Sequence, residues 1–444
     1  MRRNLVVLVL VGAALGAWPV ARPAPAAAVP AGWQRVSYGP VSLAVPAGWP
    51  VHNLAAEPGR CARLDVHAVY LGHQGERAAC PARALGKTEA LQVEPLGPAG
   101  QPQAVAALAT HAATVAGQPA RTDPSSPVTH DLVVALDRAG VALTASYGGG
   151  PALARRILAT VRVKAPGGTA PGPGPAASGG RAGQASPRAA TVATGVYTGK
   201  GFDTCAAPST GTMHAWRASP YRAVGIYIGG AMRACGDGNL SASWISTVTG
   251  TGWHLAPIYV GLQAPCVFQP GLAHLSIDPA KAAVQGVQAA ADAATRAGSV
   301  FRLGAHTPVY FDMEAYDRSQ SSCVRAVLGF LSAWTGELHR RGYRSGVYSS
   351  AASGVTDLVR AYNSASVHRP DSIWFAHWDG KASTVDPYLP AWAWPAHQRI
   401  AQYRGGHYER WGNVTVDIDN DYADSVLIGP PAATRVPVAA PPAP

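Results

Sequence analysis

The chain has 444 residues, with 36 Lys or Arg against 25 Asp or Glu, so its formal net charge at pH 7 is +11. This length leaves room for more than one domain. The charge argues against cationic partners and favours anionic ones, although exported proteins from Ala-, Arg- and Gly-rich organisms are often basic without binding anions.

The first 28 residues predict a secretory signal peptide. Two arginines precede an apolar run from Leu5 to about Trp18, and small residues up to Ala28 offer cleavage sites. The run is short for a membrane span, and no later segment is long and apolar enough for one. We therefore expect a secreted protein, extracellular or attached to the cell wall, whose partner is a wall polymer rather than nucleic acid.

The cysteine pattern fits export. The six cysteines are Cys61, Cys80, Cys205, Cys235, Cys266 and Cys323. Their even number favours pairing in an oxidising compartment. None lies in a C-x-x-C motif, so we predict disulfides, no metal site and no cofactor.

Residues 31–164 predict a small α+β domain, here called the first domain. Runs such as 131–137 indicate strands, and 151–163 indicates a helix that continues into a strand. The acids are scattered and the histidines isolated, so we expect a binding or spacer role. Residues 165–193 are rich in Gly, Pro, Ala and Ser and predict a flexible linker, and 429–444 predict a disordered tail.

Residues 195–428, here called the barrel, carry eight short and mostly apolar runs. The runs are 199–205, 223–230, 255–261, 308–316, 344–350, 372–378, 399–405 and 414–421. Helical segments separate several of them, which predicts an α/β fold with a parallel sheet closed into a TIM-type (β/α) barrel. The gaps after the sixth and seventh runs are too short or too rich in Pro and Trp for full helices, so we expect reduced helices in the last third.

The strand order predicts the disulfide pairing. Cys205, Cys235, Cys266 and Cys323 follow strands one to four in turn. Consecutive barrel strands are nearest neighbours, and a disulfide needs Cα atoms about 4.4–6.8 Å apart. We therefore predict Cys205–Cys235 and Cys266–Cys323, with the remaining two cysteines, Cys61 and Cys80, closing a long loop of the first domain.

Four strands carry a tyrosine two residues before a small or polar residue. These are Tyr227, Tyr259, Tyr310 and Tyr348. Side chains two apart on a strand share a face, so all four are predicted to line the barrel interior below Asp312. Tyrosine also favours strands for packing alone.

Acidic residues cluster at strand ends, where such barrels carry their catalytic groups. They are Asp203 on the first strand, Asp312 and Glu314 on the fourth, and Asp417, Asp419 and Asp421 on the eighth. The first and eighth strands adjoin and the fourth lies opposite, so the acids face each other across a cleft. Glycoside hydrolysis uses one protonated carboxyl and a second carboxylate, which predicts a glycan substrate. Aromatic candidates for stacking on sugars are Tyr316, Trp374, Trp378, Tyr403 and Trp411.

The motifs GFDTCAAPS, YRAVGIYIGG, LAPIYVG, VYFDMEAY, GVYSS, IAQY and VDID together resemble the exported glycoside-hydrolase-like domain known as domain of unknown function 1906. That family is similar to the family-25 lysozymes, muramidases with a (β/α)5β3 barrel and a D-x-E pair on the fourth strand. The resemblance covers about residues 195–428. This sequence departs from the lysozyme pattern after Asp203 and at His377-Trp378.

The resemblance implies roles for individual residues. Its catalytic set is Glu314 as the acid, Asp312 as its partner, Asp203, and Asp417 with Asp419 as its nearest rival. The predicted substrate-binding residues are Asp419, Gln402, Tyr316, Tyr348, Trp378 and Tyr403. An ionised Asp312 would raise the pKa of Glu314 and keep it protonated near neutral pH.

These patterns predict a monomeric, lysozyme-like glycoside hydrolase that acts on peptidoglycan. The main alternative is a catalytically inactive barrel that binds cell-wall glycan, which a basic surface and an aromatic cleft would also serve. A metal-dependent phosphodiesterase would need a Glu-x-Asp motif or a His pair on the early strands. Asp203 stands alone there, which disfavours that class.

Overall fold

The structure is a computed structural model that describes residues 29–97, 104–164 and 192–430. The predicted signal peptide, the predicted linker except for residues 192 and 193, and the predicted tail from residue 431 lie outside the described residues. Within the described ranges, no helix has both the length and the apolar character that crossing a bilayer requires.

The first domain is rich in strands. Its strands are β1 (Trp33–Tyr38), β2 (Val41–Pro46), β3 (Val51–Asn53), β4 (Val69–Leu71), β5 (Ala90–Pro95), β6 (His111–Val115), β7 (Gln118–Thr122), β8 (Asp131–Leu136), β9 (Val141–Ser146) and β10 (Arg162–Val163). Its helices are α1 (Ala104–Leu108), α2 (Ser126–Thr129) and α3 (Ala152–Ala159). One sheet has the order β1-β2-β10 and the other β3-β4-β5-β9-β8-β7-β6. The helix predicted before the last strand is confirmed as α3, which buries Ile157 and Leu158 against the sheets.

The barrel contains all eight predicted strands. They are β11 (Ala193–Asp203), β12 (Ala223–Gly229), β13 (His254–Tyr259), β14 (Pro308–Met313), β15 (Arg344–Ser350), β16 (Ser372–Ala376), β17 (Gln398–Trp411) and β18 (Val414–Gly429). The helices are α4 (Thr210–Ala215), α5 (Ala242–Gly250), α6 (Ala282–Thr295), α7 (Ser321–Arg340) and α8 (Thr356–Arg360). The strands close into a barrel in sequence order. Residues 377–397, all of them described, contain no helix, which agrees with the predicted loss of helices in this part.

The last strand corrects the prediction of an all-parallel sheet. Strands β11 to β17 pair in parallel, whereas β18 is antiparallel to both β17 and β11. The cause is the two-residue turn between β17 and β18, where Gly412 and Asn413 have φ values of 54° and 65°. Positive φ at both central residues makes the tight hairpin that suits twisted strands, so the chain reverses without a crossover helix.

Three of the four predicted interior tyrosines pack inside the barrel. They are Tyr227, Tyr310 and Tyr348. The prediction is wrong for Tyr259, which faces the helices and donates its hydroxyl hydrogen bond to Asp292 of α6 at 2.9 Å. In the pairing of β12 with β13, Tyr227 lies opposite Ile258 and not opposite Tyr259, because the register shifts after Tyr227. The tyrosines of these two strands therefore do not share a face.

All three predicted disulfides are present. The Cα–Cα distances are 5.0 Å for Cys61–Cys80, 5.7 Å for Cys205–Cys235 and 6.1 Å for Cys266–Cys323. The first two lie against each other across the domain boundary, with the sulfurs of Cys61 and Cys235 3.8 Å apart. The first domain therefore contacts the barrel directly.

Residues 61–88 of the first domain, here called the docking segment, lie along the loop that follows β12. Main-chain hydrogen bonds run from Leu64 N to Ala234 O (2.6 Å) and from Gly86 N to Met232 O (2.9 Å). The fully buried Lys87 ammonium donates to Asp131 Oδ2 at 2.8 Å. Burial lowers the pKa of Lys87 and the adjacent Asp131 opposes that shift, so the ion pair anchors the docking segment.

We expect Lys87→Met to lower the free energy of unfolding by about 3 kcal/mol, because it leaves the Asp131 carboxylate without its buried cation. Chemical denaturation of the full chain measures the change. The matched control is Lys281→Met, whose ion pair with Asp278 is largely exposed and should contribute nothing measurable. Equal effects of the two substitutions would contradict the anchoring role of Lys87.

Candidate active site

Five carboxyl groups gather at one mouth of the barrel, and each residue is at most 9% exposed. They are Asp203 at the end of β11, Asp312 on β14, Glu314 just after β14, and Asp419 and Asp421 on β18. The parallel strands end at this mouth, whereas the reversed β18 passes through it. The register accordingly pairs Asp203 with Asp419, which brings acids from both ends of the barrel sequence together.

The side-chain amide of Gln402 connects the two walls. Its Nε2 donates to Asp203 Oδ2 at 2.9 Å and to Asp419 Oδ2 at 3.4 Å. Its Oε1 accepts from Tyr348 at 3.0 Å and from the Trp378 indole at 3.0 Å. Because an indole N–H can only donate, these contacts fix the orientation of the amide and aim its N–H groups at the carboxylates.

Asp421 was not among the predicted site residues, but it belongs to the cluster. The Trp374 indole donates to its Oδ1 at 3.0 Å, and its carboxyl is hydrogen-bonded to that of Asp203. Burial, followed by the charges of Asp203 and Asp419, raises the pKa of Asp421 well above its usual value. The sequence placed Asp421 among the acids of the last strand but assigned it no role in the site.

Burial also dominates the acidity of the neighbouring aspartates. It raises the pKa of Asp203 to about 6, against the hydrogen bonds that Asp203 forms with Gln402 and Asp421. It raises the pKa of Asp419 to about 9, and the charge of Asp203 adds to that shift. Like charges this close cannot all ionise, so the cluster retains protons at neutral pH.

The protonation of Asp312 and Glu314 differs from the prediction. Burial raises the pKa of both Asp312 and Glu314. The charges of Glu314 and Asp203 raise the pKa of Asp312 further, whereas Arg83 lowers that of Glu314. These causes favour the proton on Asp312 over Glu314, whereas the sequence predicted an ionised Asp312.

Gln263 fixes the main chain between these two acids, a role that sequence reasoning missed. Its Nε2 donates to the carbonyl oxygen of Asp312 at 2.9 Å, and its Oε1 accepts from the Glu314 N–H at 2.8 Å. Gln263 is fully buried, and the loop beyond it carries the Cys266–Cys323 disulfide. The loop after β13 thus positions the catalytic candidates on β14.

A cavity of about 250 Å³ opens over the acids. It is lined by Arg83, Leu85, Tyr227, Gln269, Glu314, Tyr348, Gln402 and Asp419. Among the described residues, Asp312 Oδ1 and Asp419 Oδ1 are buried without a hydrogen-bond partner. Unpaired buried oxygens are costly, and because Asp419 lines the cavity its Oδ1 is suited to form a hydrogen bond with a bound ligand.

Only one of the two aspartates predicted as site residues on the last strand lines the cavity. Asp419 lines it, whereas Asp417 lies two residues away, opposite Tyr408 in the hairpin. The charge of Asp417 reaches Asp419 and raises its pKa. Asp419, the rival in the prediction, therefore occupies the position expected of Asp417.

Some of the predicted aromatic residues lie at the cleft and others do not. Trp378 is 48% exposed beside the cleft, and Tyr348 lines the cavity. The prediction is wrong for Tyr316, which is 1% exposed and donates to Asp357 of α8 at 2.9 Å. It lies beyond the end of β14, where strand alternation no longer sets its direction.

The other aromatic candidates do not line the cavity. Trp374 is buried inside the barrel and Tyr403 is 8% exposed at a β-bulge of β17. The Trp411 indole donates to Glu409 at 2.8 Å in the hairpin. Trp378 is thus the most exposed of the aromatic candidates, and the Arg83 guanidinium covers one face of its ring, 4.2 Å from the centroid.

One group of three side chains in the described ranges has the spacing to share a metal ion, namely Cys61, Cys80 and Cys235. All three are disulfide-bonded, so none offers a thiolate. The residues present therefore do not form a metal site there.

A comparison with protein families gives a match within the barrel. Residues 214–423 match the family model described as the Rv2525c-like, glycoside hydrolase-like domain, which confirms the predicted resemblance. No curated protein matches the chain significantly.

Several solved structures are similar to about half of the chain. An uncharacterised protein of B. stearothermophilus is 18% identical with a TM-score of 0.37, over 51% of this chain and 95% of that one. The spore cortex lytic enzyme SleM of Clostridium perfringens is 12% identical with a TM-score of 0.33, over 51% and 67%. The modular autolysin LytC of Streptococcus pneumoniae is 11% identical with a TM-score of 0.34, over 51% and 46%.

We expect Asp419→Asn to raise the melting temperature at pH 8 and to leave it nearly unchanged at pH 4. The folded pKa of Asp419 is about 9, whereas an unfolded aspartate titrates near ~3.9. Its contribution to stability is therefore complete below about pH 4 and is lost as the pH rises toward 9. Scanning calorimetry across this range measures the effect.

The control for this titration is Asp137→Asn. A hydrogen bond from Arg121 holds the pKa of Asp137 below its usual value, so the sign is opposite and a small destabilisation is expected at pH 8. If Asp419→Asn proved less stable than the wild type at pH 8, the buried-proton assignment would be wrong.

We expect the double substitution Cys266→Ala with Cys323→Ala to loosen the loop that holds β14. Loss of the disulfide should lower the free energy of unfolding by about 3 kcal/mol and speed amide hydrogen exchange in residues 263–268 and 314–317. Exchange in β17 and β18 should stay slow.

The control for the disulfide experiment is Cys61→Ala with Cys80→Ala in the first domain. That substitution should leave exchange in residues 263–268 unchanged. Unaltered exchange there in the Cys266 and Cys323 variant would mean that the disulfide does not support the site.

Proposed function

Because residues 214–423 match the family model described as the Rv2525c-like, glycoside hydrolase-like domain, we propose that this protein is a secreted glycoside hydrolase that acts on peptidoglycan. The barrel is then of the TIM type with its helices reduced in the last third. The proposal rests on the carboxyl groups with raised pKa around the cavity, because glycoside hydrolysis needs a protonated acid and a second carboxylate.

Glu314 and Asp419 line the cavity from opposite walls. They belong to β14 and β18, which are separated by three strands in either direction around the eight-stranded barrel. A sugar bound between them would have Glu314 on one side and Asp419 on the other. We assign Glu314 as the acid that protonates the glycosidic oxygen, and Asp203, whose pKa of about 6 leaves it ionised at neutral pH, as the carboxylate that stabilises the positive charge developing on the sugar. Asp419, which keeps its proton at neutral pH, would hydrogen-bond the sugar from the same wall.

Asp312 lies one strand position below Glu314 and contacts the Tyr227 hydroxyl at 3.5 Å. The two acids are coupled by charge, so the pair shares a proton rather than ionising twice. A sugar that covers the cleft removes water from Glu314 and raises its pKa further. The shared proton then moves toward Glu314, the member of the pair that reaches the cavity.

The substrate class follows from location and surface. Three disulfides suit an oxidising exterior, and a net charge of +11 suits an anionic wall. Trp378, held by its hydrogen bond to Gln402, is half-exposed beside the cleft, where the edge of its indole can contact a sugar. The whole set supports a cell-wall glycan as the substrate.

A second candidate function is glycan binding without turnover. The observation that favours it is the size of the cavity, about 250 Å³, which is below the roughly 300–1,000 Å³ usual for ligand pockets. The first domain covers part of the mouth, so a long glycan would bind across the opening without its glycosidic bond reaching Glu314. Binding to peptidoglycan with no release of reducing ends would establish this function.

We expect Glu314→Gln to lower the release of reducing ends from purified peptidoglycan by about 10²- to 10⁴-fold, the usual contribution of a general acid. Glu76→Gln, a matched change at an exposed glutamate of the first domain, should keep the wild-type rate. Asp419→Asn should impair turnover more than Asp417→Asn. An unchanged rate in Glu314→Gln would refute the acid assignment.

A further inference from the structure

The first domain forms one side of the cavity. Arg83 and Leu85 of the docking segment line it together with barrel residues. Their position is fixed on the C-terminal side by the Gly86–Met232 hydrogen bond and the buried Lys87 ammonium. The carbonyl oxygen of Lys87 also accepts from His274 of the barrel at 3.1 Å. Arg83 is therefore held at the cleft by a rigid support.

The Arg83 guanidinium lies over the Trp378 ring, 4.2 Å from the ring centroid. The side chain is exposed, and it forms no ion pair or hydrogen bond with any other residue in the described part of the chain. A guanidinium has five N–H donors in a planar fork, and here the protein uses none of them. Stacking on the indole orients this fork without occupying it.

The charge of Arg83 nevertheless reaches the acids. It lowers the pKa of Asp203, Asp312, Glu314 and Asp419, although burial outweighs it in each case. None of these carboxylates is close enough to pair with it directly. The protein thus holds a positive charge beside the cleft and leaves its donors to another partner.

We propose that Arg83 is a substrate-binding residue contributed by the first domain, and that it selects a glycan whose bound sugar carries a carboxylate. This inference rests on the proposed function of the cleft. A planar guanidinium matches a carboxylate with two parallel hydrogen bonds. The same fork also fits a phosphate, but the nearby acids repel a phosphate dianion more strongly than a carboxylate monoanion.

The shape of the cavity agrees with a compact ligand. Its volume of about 250 Å³ suits one sugar with its substituent better than a continuous chain. Leu85 is the apolar residue beside Arg83 in the lining, and it would contact the carbon atoms of that substituent. The sugar ring would then lie near Trp378, with its carboxylate toward Arg83 and its glycosidic oxygen toward Glu314.

The test measures binding apart from turnover. Full-length protein with Glu314→Gln is titrated calorimetrically with the disaccharide of N-acetylglucosamine and N-acetylmuramic acid, with the methyl ester of its carboxylate, and with a phosphorylated disaccharide. We expect the free carboxylate to bind best. Adding Arg83→Gln should weaken its binding about ten-fold or more and should leave the methyl ester unchanged.

Two further variants sharpen the result. Arg83→Lys keeps the charge but loses the fork and the stacking, so it should restore only part of the binding. Arg138→Gln is the matched control, since Arg138 is an exposed arginine in the turn between β8 and β9, at the end of β9 away from the docking segment. It should bind all three ligands as the parent does.

The inference is overturned if Arg83→Gln weakens the carboxylate and its ester equally, if it weakens neither, or if the phosphorylated ligand binds best. It is also overturned if Arg83→Gln tightens binding of the ester, which would make Arg83 an obstruction. Failure of the proposed function has a different result. Wild-type protein would then release no reducing ends, while the dependence of carboxylate binding on Arg83 could still be measured.

Discussion

The arrangement of this protein depends on the burial of five carboxyl groups in one barrel mouth. Water that would normally solvate them is excluded, so the charged forms are disfavoured and protons are retained. Gln402 donates hydrogen bonds to Asp203 and Asp419, and with a pKa of about 6 Asp203 is the acid on that wall that ionises first. On the opposite wall, burial raises the pKa of both Asp312 and Glu314. A single site can therefore present both an acid and a charge-stabilising group, which is the requirement of glycoside hydrolysis.

Reversal of the last strand makes that arrangement possible. The hairpin at Gly412 and Asn413 turns β18 back through the mouth, so its acids enter the site from the middle of the strand rather than from its end. A parallel eighth strand would need a crossover connection of a dozen or more residues. The short turn supplies the same side chains without a helix, and it places Asp419 beside Asp203.

The first domain changes the character of the cleft. Without it, the mouth would be an open groove with acids on two walls. With the docking segment in place, the groove becomes a small cavity whose lining includes a cation. Main-chain hydrogen bonds from Leu64 and Gly86 to the loop after β12 make this contact part of the fold, and the Lys87–Asp131 pair holds the docking segment within the first domain. The lining of the cavity therefore comes from two domains, whereas the acids come from one.

The sequence by itself determined the eight strands, the three disulfides and the acids at the strand ends, because apolar runs, cysteine order and strand alternation are local signals. It also identified Gln402, Trp378 and Tyr348. Only the tertiary structure decided the direction of β18, the outward face of Tyr259, the burial of Tyr316 and the choice of Asp419 over Asp417, since these depend on a turn, a bulge and packing between distant elements. The position of Arg83 has the same origin. Arg83 and Glu314 are 231 positions apart in the sequence, and only the docking of one domain on the other brings both to the cavity.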